Sequence, residues 1–234
     1  MCGAKSEPRA PRLTNGKRAE MAQERDSDGA DIPDGPERPI VAFDFDGTLT
    51  VRDSYTAFLI WRTPRAKLML GWLKLVPATL RYLVDRDRGR IKAVATKIYL
   101  GGVPRERLEA DARRFAELHS RSLLRPDAVI AWKRWRKERV RLIIVTASPD
   151  IVVAPFARGL GADDILGTPL AFDERDRVTG AFASPNCRGP EKVVRIRAAH
   201  GDLRVRAAYG DTSGDTEMLA IAEEPYYRVF TGRP

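Results

Sequence analysis

Two carboxylates with a single residue between them, Asp44 and Asp46, come directly after the apolar run at residues 40–43 and just before Gly47. The run predicts a buried strand, and side chains at a strand end alternate in direction, so both carboxylates point to the same side. A carboxylate can attack phosphorus when a cation bridges it to the phosphate. A second carboxylate can protonate the leaving oxygen and later deprotonate the attacking water. The pattern therefore predicts phosphoryl chemistry, with Asp44 as the nucleophile and Asp46 as the acid and base.

Two later apolar runs also end in polar residues, and each predicts a buried parallel strand. Residues 140–145 lead into Thr146-Ala147-Ser148-Pro149, and residues 205–209 lead into Gly210-Asp211. Open α/β sheets bind their ligands at the carboxyl ends of their strands, so we expect the three polar clusters to meet there. Ser148 is predicted to cap a helix whose first residue is Pro149. The predicted fold class is α/β, with a doubly wound and mostly parallel sheet.

The first two predicted strands are separated by about a hundred residues with helical periodicity. Helices are predicted over Arg105–Leu124 and Asp127–Glu138, and a small hairpin over residues 170–172 and 178–180. The catalytic core is predicted at residues 39–55 and 126–234, with an inserted α-helical cap at 56–125. Residues 1–38 hold few large apolar side chains and are expected to form a disordered arm, within which Met21 is a hypothetical alternative start.

The stretch Asp44-Phe45-Asp46-Gly47-Thr48-Leu49-Thr50 resembles the first motif of the haloacid dehalogenase superfamily. Thr146, Lys192 and the run at residues 210–215 are similar to its second, third and fourth motifs, in that order. The resemblance extends over residues 40–230. It implies a Rossmann-like core and a phosphoric monoester hydrolase that is transiently phosphorylated on Asp44.

The resemblance also implies a role for each matched residue. The Thr146 hydroxyl and the Lys192 ammonium would hold the phosphoryl oxygens, where negative charge must be stabilised in the transition state. Mg²⁺ would be held by the carboxylates of Asp44 and Asp211 and by the carbonyl of Asp46, with Asp215 completing or supporting the shell. The residues expected to contact the substrate are Gly47, Thr48, Asp53, Ala147 and Ser148.

The large insertion between the first two motifs is similar to that of the phosphoserine-phosphatase-like branch, subfamily IB. Phosphoserine phosphatases usually carry Glu where this chain has Asp53, and Ser-Gly-Gly where it has residues 146–148. The runs at residues 186–192 and 227–230 instead resemble bacterial phosphatidylglycerophosphatase C. The expected substrate is therefore a phospholipid phosphate such as phosphatidylglycerophosphate, with a small soluble phosphomonoester such as phosphoserine as the alternative.

The formal net charge is +9, and residues 61–100 contain ten basic and two acidic side chains. A helix over Met69–Val84 would place Met69, Trp72, Leu73, Val76, Leu80, Leu83 and Val84 on one face, opposite Lys67, Lys74, Arg81 and Arg88. Such a basic amphipathic helix suits peripheral contact with an anionic membrane. The alternative, that the apolar face packs inside the cap, is favoured by shape, and Pro77 is predicted to break or kink the helix.

Two cysteines are too few for a disulfide framework, and no secretory signal or long uncharged apolar run is evident. We therefore expect a cytoplasmic enzyme, peripheral at most on the inner face of the membrane. A nucleic-acid-binding protein using the basic cap is a weaker alternative, since no recognised binding motif accompanies the charge, and no nucleic-acid partner is expected. Cys187 is predicted to be a packed loop residue, and His119 and His200 to be surface residues.

Overall fold

The computed structural model describes residues 38–85 and 88–234, without the side chains of residue 78 and residues 81–88. The arm predicted over residues 1–38 thus lies outside the described residues, apart from Arg38. These described residues form a five-stranded sheet and a two-stranded hairpin. The strands are β1 (Ile40–Phe43), β2 (Arg141–Pro149), β3 (Asp164–Thr168), β4 (Leu170–Phe172), β5 (Val178–Phe182), β6 (Val205–Gly210) and β7 (Ala222–Tyr227).

The large sheet has the strand order β3-β2-β1-β6-β7, and every neighbouring pair is parallel. Strand β1 is central, pairing Ile40 with Arg141 of β2 on one side and with Val205 of β6 on the other. Strands β4 and β5 form the antiparallel hairpin. The predicted α/β class, the parallel sheet and the hairpin are all confirmed.

Helices connect these strands. Between β1 and β2, the described chain forms α1 (Ser54–Arg62), α2 (Arg65–Asp85), α3 (Arg88–Leu100), α4 (Arg105–Leu123) and α5 (Pro126–Trp135). The two helices predicted from periodicity correspond to α4 and α5, although α5 ends three residues early. After β2 the helices are α6 (Asp150–Leu160), α7 (Pro190–His200) and α8 (Thr216–Ala220).

Strand β1 is buried on both faces, which explains why its sequence is continuously apolar rather than alternating. Val41 and Phe43 belong to the larger core cluster, while Ile40 and Ala42 belong to a smaller one on the opposite face. The Phe43 ring stacks on Tyr209 of β6, with 4.2 Å between ring centroids. The central strand, and the residue that follows it, are therefore held rigidly from both sides.

Two local predictions around Ser148 are wrong. Strand β2 continues through Pro149, which pairs with Thr168 of β3, and α6 begins one residue later at Asp150. The Ser148 hydroxyl does not cap this helix, because it donates a hydrogen bond to Asp46 instead. The competing acceptor is 102 residues away in sequence, so local capping rules could not reveal it.

The prediction for α2 is wrong in two respects. The helix is not broken at Pro77, and the described residues of the predicted apolar face do not pack inside the cap. Met69, Trp72, Leu73, Val76 and Leu80 are instead exposed to between 49% and 73%. The side chains that are not described include four more that were assigned to the two faces: Leu83, Val84, Arg81 and Arg88. No helix in the described ranges is long and apolar enough to span a membrane.

The prediction that His200 is an ordinary surface residue is also wrong. It ends α7, and its side chain is only 3% exposed. The helix end packs towards β3, where the His200 Nε2 atom lies 3.3 Å from the Asp164 Oδ2 atom. His119 is half-buried, with its ring 4.9 Å from that of Phe115.

Candidate active site

Asp44 is the first residue after β1, and its backbone amide extends the sheet by donating to the carbonyl of Tyr209 on β6. Its carboxylate is buried and accepts hydrogen bonds on both oxygens. Lys192 Nζ donates to Oδ1 at 2.6 Å, and Thr48 Oγ1 lies 3.3 Å from Oδ2. The predicted nucleophile is thus fixed by the central strand and by partners from two other parts of the chain.

The loop after Asp44 turns sharply at Gly47, where φ is +90°. Residues with a β-carbon rarely adopt this conformation, so glycine is favoured here. A β-carbon on Gly47 would also overlap the Asp211 carboxylate. Both the turn and the close approach of the fourth motif therefore depend on this glycine.

Asp46 points its carboxylate at two donors on separate elements. Ser54 at the start of α1 donates its backbone amide to Oδ1 at 2.7 Å, and Ser148 at the end of β2 donates its hydroxyl to Oδ2 at 2.5 Å. Burial, together with the nearby Asp53 carboxylate, raises the pKa of Asp46 despite the opposing effect of Lys92 and these hydrogen bonds. A carboxyl group with a raised pKa retains its proton more readily, as a general acid must.

Lys192 lies in the first turn of α7 and is 1% exposed. Its ammonium donates to Asp44 Oδ1 at 2.6 Å, Asp215 Oδ1 at 2.7 Å and the Val145 carbonyl at 2.7 Å. These bonds use all three protons of the group. Burial alone would lower the pKa of Lys192, but the two carboxylates outweigh it and raise the pKa, so the group stays charged.

Three carboxylates, from Asp44, Asp211 and Asp215, each place an oxygen within 4.8 Å of the other two. Burial raises the pKa of Asp44 to about 7, and the Lys192 charge offsets this only in part. Burial and the charge of Asp215 likewise raise the pKa of Asp211. Burial would also raise the pKa of Asp215, but Lys192 and hydrogen bonds from Thr212 bring it below its ordinary value.

This cluster fits a small hard cation. Carboxylate oxygens are the ligands that Mg²⁺ prefers, and a divalent charge would favour the ionised forms that burial disfavours. In the described chain, Lys192 is the cation that contacts these carboxylates, and it contacts Asp44 and Asp215 but not Asp211. The donor set and its charge therefore suit a bound divalent ion, although Asp46 does not contribute its carboxylate to the cluster.

The acidic residues face a cavity of about 300 Å³. Ala147 lines this cavity, whereas Thr146 is fully buried beside it, with its hydroxyl accepting a hydrogen bond from the Ser148 amide at 3.0 Å. Sequence reasoning gave no site role to five other lining residues, Gly214 among them, which come from the cap and from the segments around the third and fourth motifs. The other four are Lys92, Asn186, Arg188 and Thr212.

Lys92 is the lining residue contributed by α3 of the predicted cap. Its Nζ lies 3.9 Å from Asp53 Oδ2, a weak pair at a half-exposed position. Asp53 also caps α1, because its carboxylate accepts a hydrogen bond from the Thr56 amide at 2.6 Å. In the sequence, Lys92 is one of ten basic residues without a distinguishing motif, so only the packing of α3 reveals its position.

Cys187 is fully buried, as predicted, and its amide donates to the Thr168 hydroxyl at 3.0 Å. Burial raises the pKa of its thiol to about 11. The thiolate is the reactive form of cysteine, so this side chain is suited to packing rather than to nucleophilic chemistry.

Comparison with known proteins places this geometry in a family. A family model described as haloacid dehalogenase-like hydrolase matches residues 41–220. The protein CicA of Caulobacter vibrioides (strain NA1000 / CB15N) is 55% identical over 202 residues, which are 86% of this chain and 90% of that protein.

Solved structures with low sequence identity share the fold. A protein of unknown function from Bordetella pertussis Tohama I has a TM-score of 0.66 and 23% identity, covering 79% of this chain and 87% of that one. A phospho-aspartyl intermediate analogue of phosphoserine phosphatase has a TM-score of 0.52 and 19% identity, covering 80% and 84%. Each of these likenesses supports the α/β core described above.

Proposed function

Because the chain belongs to the haloacid dehalogenase-like hydrolases, we propose that it is a phosphatase that cleaves phosphomonoesters through an aspartyl-phosphate on Asp44. One observation carries this proposal. The carboxylates of Asp44 and Asp46 line the same cavity, with the Lys192 ammonium 2.6 Å from the first of them. A nucleophile, a proton donor and a positive charge are thus available to one phosphoryl group.

In the first step, a carboxylate oxygen of Asp44 attacks phosphorus and the bond to the leaving oxygen breaks. Asp46 gives its proton to that oxygen, so the alcohol leaves neutral. The raised pKa of Asp46 supports this role. Lys192, and Thr146 within β2, would hold the phosphoryl oxygens while charge develops on them.

In the second step, Asp46, now a carboxylate, takes a proton from water as that water attacks the phosphorus. The bond between phosphorus and the Asp44 oxygen breaks, which releases inorganic phosphate and restores both carboxyl groups to their starting forms. The hydrogen bonds from Ser54 and Ser148 hold Asp46 in one orientation, which suits a group that must serve in both steps.

Mg²⁺ is the proposed cofactor. The carboxylates of Asp44, Asp211 and Asp215, with the carbonyl of Asp46, would hold it. When bound, the ion would neutralise the repulsion between the nucleophile and the phosphate. Thr48 supports this arrangement, since its hydroxyl lies within 3.3 Å of both the Asp44 and the Asp211 carboxylates.

For the substrate we propose a phospholipid phosphate such as phosphatidylglycerophosphate, handled by a subfamily IB enzyme in the cytoplasm at the inner face of the membrane. Lys92 and Arg188 bring positive charge to the cavity wall, where a second anionic group of the substrate would lie. The resemblance of residues 186–192 to phosphatidylglycerophosphatase C also supports this substrate. Gly47, Thr48, Asp53, Ala147 and Ser148 keep their proposed role as substrate contacts.

A small soluble phosphomonoester is the second candidate. A volume of about 300 Å³ is at the lower end for ligand cavities and holds a head group without its acyl chains. The cavity is therefore also large enough for a phosphoserine-sized molecule.

A phosphate-release screen with Mg²⁺ tests the proposed function. Its substrates are phosphatidylglycerophosphate in detergent micelles, phosphoserine, a sugar phosphate and a chromogenic phosphate, with the Asp44→Asn variant as the blank. We expect the highest kcat/KM on the lipid and loss of all activity in excess chelator. Ca²⁺ should not restore activity, because its larger and looser shell would not hold the nucleophile and the phosphate in line.

The outcomes of this screen separate the substrate from the chemistry. Strong phosphoserine turnover without lipid turnover would favour the second candidate and leave the catalytic roles unchanged. Full activity in excess chelator would remove the role of the metal. Phosphate release at equal rates by the wild type and by Asp44→Asn would reject the proposed nucleophile.

A further inference from the structure

The outer face of α2 carries an unusual concentration of exposed apolar side chains. We call this face the α2 stripe, and it consists of Met69, Trp72, Leu73, Val76 and Leu80, each at least 49% exposed. Their spacing of three or four residues places them along one side of the helix. Large exposed apolar residues elsewhere are dispersed over other elements, for example Ile130 on α5 and Val194 on α7. A contiguous patch of this kind on a folded protein marks an interaction surface.

A second face of α2 already has its partner. Leu68 and Leu75 pack against the core, and Gly71 lies so close to the Tyr99 ring of α3 that a β-carbon would overlap it. The Tyr99 hydroxyl donates to the Leu68 carbonyl at 3.3 Å, and Lys67 Nζ donates to the Tyr99 carbonyl at 3.4 Å. Since α3 fixes one face of α2, the α2 stripe is directed away from the described chain.

A helix that is apolar on two faces is normally buried on both. The packing of α2 therefore accounts for Leu68 and Leu75 but leaves the α2 stripe without a partner in the described part of the chain. The stripe requires a partner from outside, and the charges around it indicate which kind.

Residues 54–84 contain five basic side chains and no acidic one. Arg65, Lys67 and Lys74 among them are exposed on α2. A second copy of the chain is disfavoured, because a symmetric contact would bring two of these basic segments together. An anionic lipid surface matches both properties, since apolar side chains enter the acyl region while lysine stems extend to the phosphate groups.

We propose that the α2 stripe docks the protein on an anionic lipid surface. The α2 stripe is linked to the catalytic cavity through one neighbouring helix. Helix α2 packs on α3, and α3 carries Lys92, which lines that cavity. Docking would therefore bring the cavity near lipid head groups. The docking itself does not depend on the substrate, whereas its use in lipid hydrolysis rests on the proposed function.

Co-sedimentation of the full chain with vesicles tests the apolar part of the proposal. The vesicles contain phosphatidylglycerol and phosphatidylcholine, with pure phosphatidylcholine for comparison. The Trp72→Ser/Leu73→Ser double variant should lose at least about tenfold in vesicle partitioning, because it removes the two most central apolar side chains from the stripe. Ile130→Ser is the matched control, since Ile130 is 68% exposed but lies on α5, and it should bind like the wild type.

The charged part needs a second pair of variants. Lys74→Glu should reduce binding to anionic vesicles by at least about fivefold, and the loss should shrink as salt screens the surface. Lys133→Glu on α5 changes the net charge equally at another exposed position and should have little effect. Arg81 and Arg88 lie outside the described side chains and are left unchanged.

Several results would overturn the docking proposal: no binding of the wild type to anionic vesicles, equal binding of the double variant, or equal binding to neutral vesicles. A dimer in solution that the double variant dissolves would assign the stripe to a second copy instead. Activity on a chromogenic phosphate and the thermal melting of each variant should match the wild type, which excludes damage to the fold. Vesicle binding without phosphatidylglycerophosphate hydrolysis would support docking and reject the lipid substrate.

Discussion

Charged side chains are usually exposed and large apolar ones buried, and two regions of this molecule depart from that rule in opposite ways. They are the catalytic edge of the sheet and the outer face of α2. The first buries charged side chains, such as Lys192 and Asp215, which are both about 1% exposed. The second exposes large apolar side chains, such as Trp72 and Leu73, which are both 70% exposed. Each arrangement is unfavourable unless a partner compensates for it.

The two regions differ in where that partner lies. At the sheet edge the compensation is internal, because Lys192 bonds to two carboxylates and Asp215 accepts hydrogen bonds from the Thr212 amide and hydroxyl. On α2 the described chain supplies no cover for the stripe. The catalytic edge can therefore form in the isolated protein, whereas the stripe points to something that the protein must meet.

The largest effect on activity should come from Asp44→Asn, which tests whether the buried Asp44 carboxylate is the nucleophile. Phosphate release should fall by at least about 10⁴-fold, because an amide cannot form the phosphorylated intermediate. Covalent labelling by phosphate should disappear with it. Asp202→Asn, at a fully exposed loop position, should retain wild-type activity. A phosphorylated protein recovered from Asp44→Asn would show that the nucleophile is another residue.

Asp46→Asn should be less severe, by our proposal, because Asp46 transfers protons and does not form the covalent bond. Turnover should fall by roughly 10²–10⁴-fold. Hydrolysis of the intermediate should slow more than its formation, so labelled protein should accumulate in a rapid-quench experiment. Equal slowing of both steps, with no accumulation, would contradict the acid and base role.

Lys192→Met tests the internal compensation at the sheet edge through stability. Removing the cation leaves Asp44 and Asp215 buried without their partner, so the free energy of unfolding should fall by about 3–5 kcal/mol in a urea titration. Lys133→Met, an exposed control on α5, should stay within about 0.5 kcal/mol of the wild type. A small loss for Lys192→Met would mean that the carboxylates are solvated or protonated.

The stability lost in Lys192→Met should depend on pH, because it comes from carboxylates that are left charged and buried. Burial already raises the pKa of Asp44 from its ordinary 3.8 to about 7, and losing Lys192 should raise it further. At a pH between the unfolded and the folded pKa of Asp44, the folded state binds more protons than the unfolded state, so the free energy of unfolding increases as pH falls. The deficit of Lys192→Met should thus narrow between about pH 8 and pH 6. A deficit that widened over this range would contradict the assignment.

The smallest effect should come from the α2 stripe. Trp72→Ser/Leu73→Ser should change the free energy of unfolding by no more than about 0.5 kcal/mol per site, because both side chains are already exposed to solvent. Phe58→Ala on α1 is the contrasting variant, since this ring is fully buried and its loss should cost about 3–5 kcal/mol. A large loss for the double variant would show that the stripe is packed in solution.

The sequence predicted the parts of the site that follow from local rules. Asp44, Asp46 and Asp211 could be found because each comes at the end of an apolar run, and parallel strands bring such ends together. The destination of the Ser148 hydroxyl could not be found, because its acceptor, Asp46, is brought there only by the pairing of β1 with β2.

The position of α2 shows a second limit. Its amphipathic pattern indicated an apolar face and a basic face, but a pattern does not say which apolar residues face the core. Leu68, Gly71 and Leu75 provide that contact, through the approach of Tyr99 from α3. The same limit hid Lys92, whose position in the cavity depends on the packing of α3.

The strand order has a consequence for how the chain is made. Strand β1 is synthesised first, yet its two neighbours, β2 and β6, follow about 100 and about 165 residues later. Until both have emerged from the ribosome, a short and wholly apolar segment has two open edges, which favour pairing with other chains. Folding must therefore wait for long-range contacts that form slowly, and we expect the nascent chain to depend on chaperones more than a protein of this size with local topology.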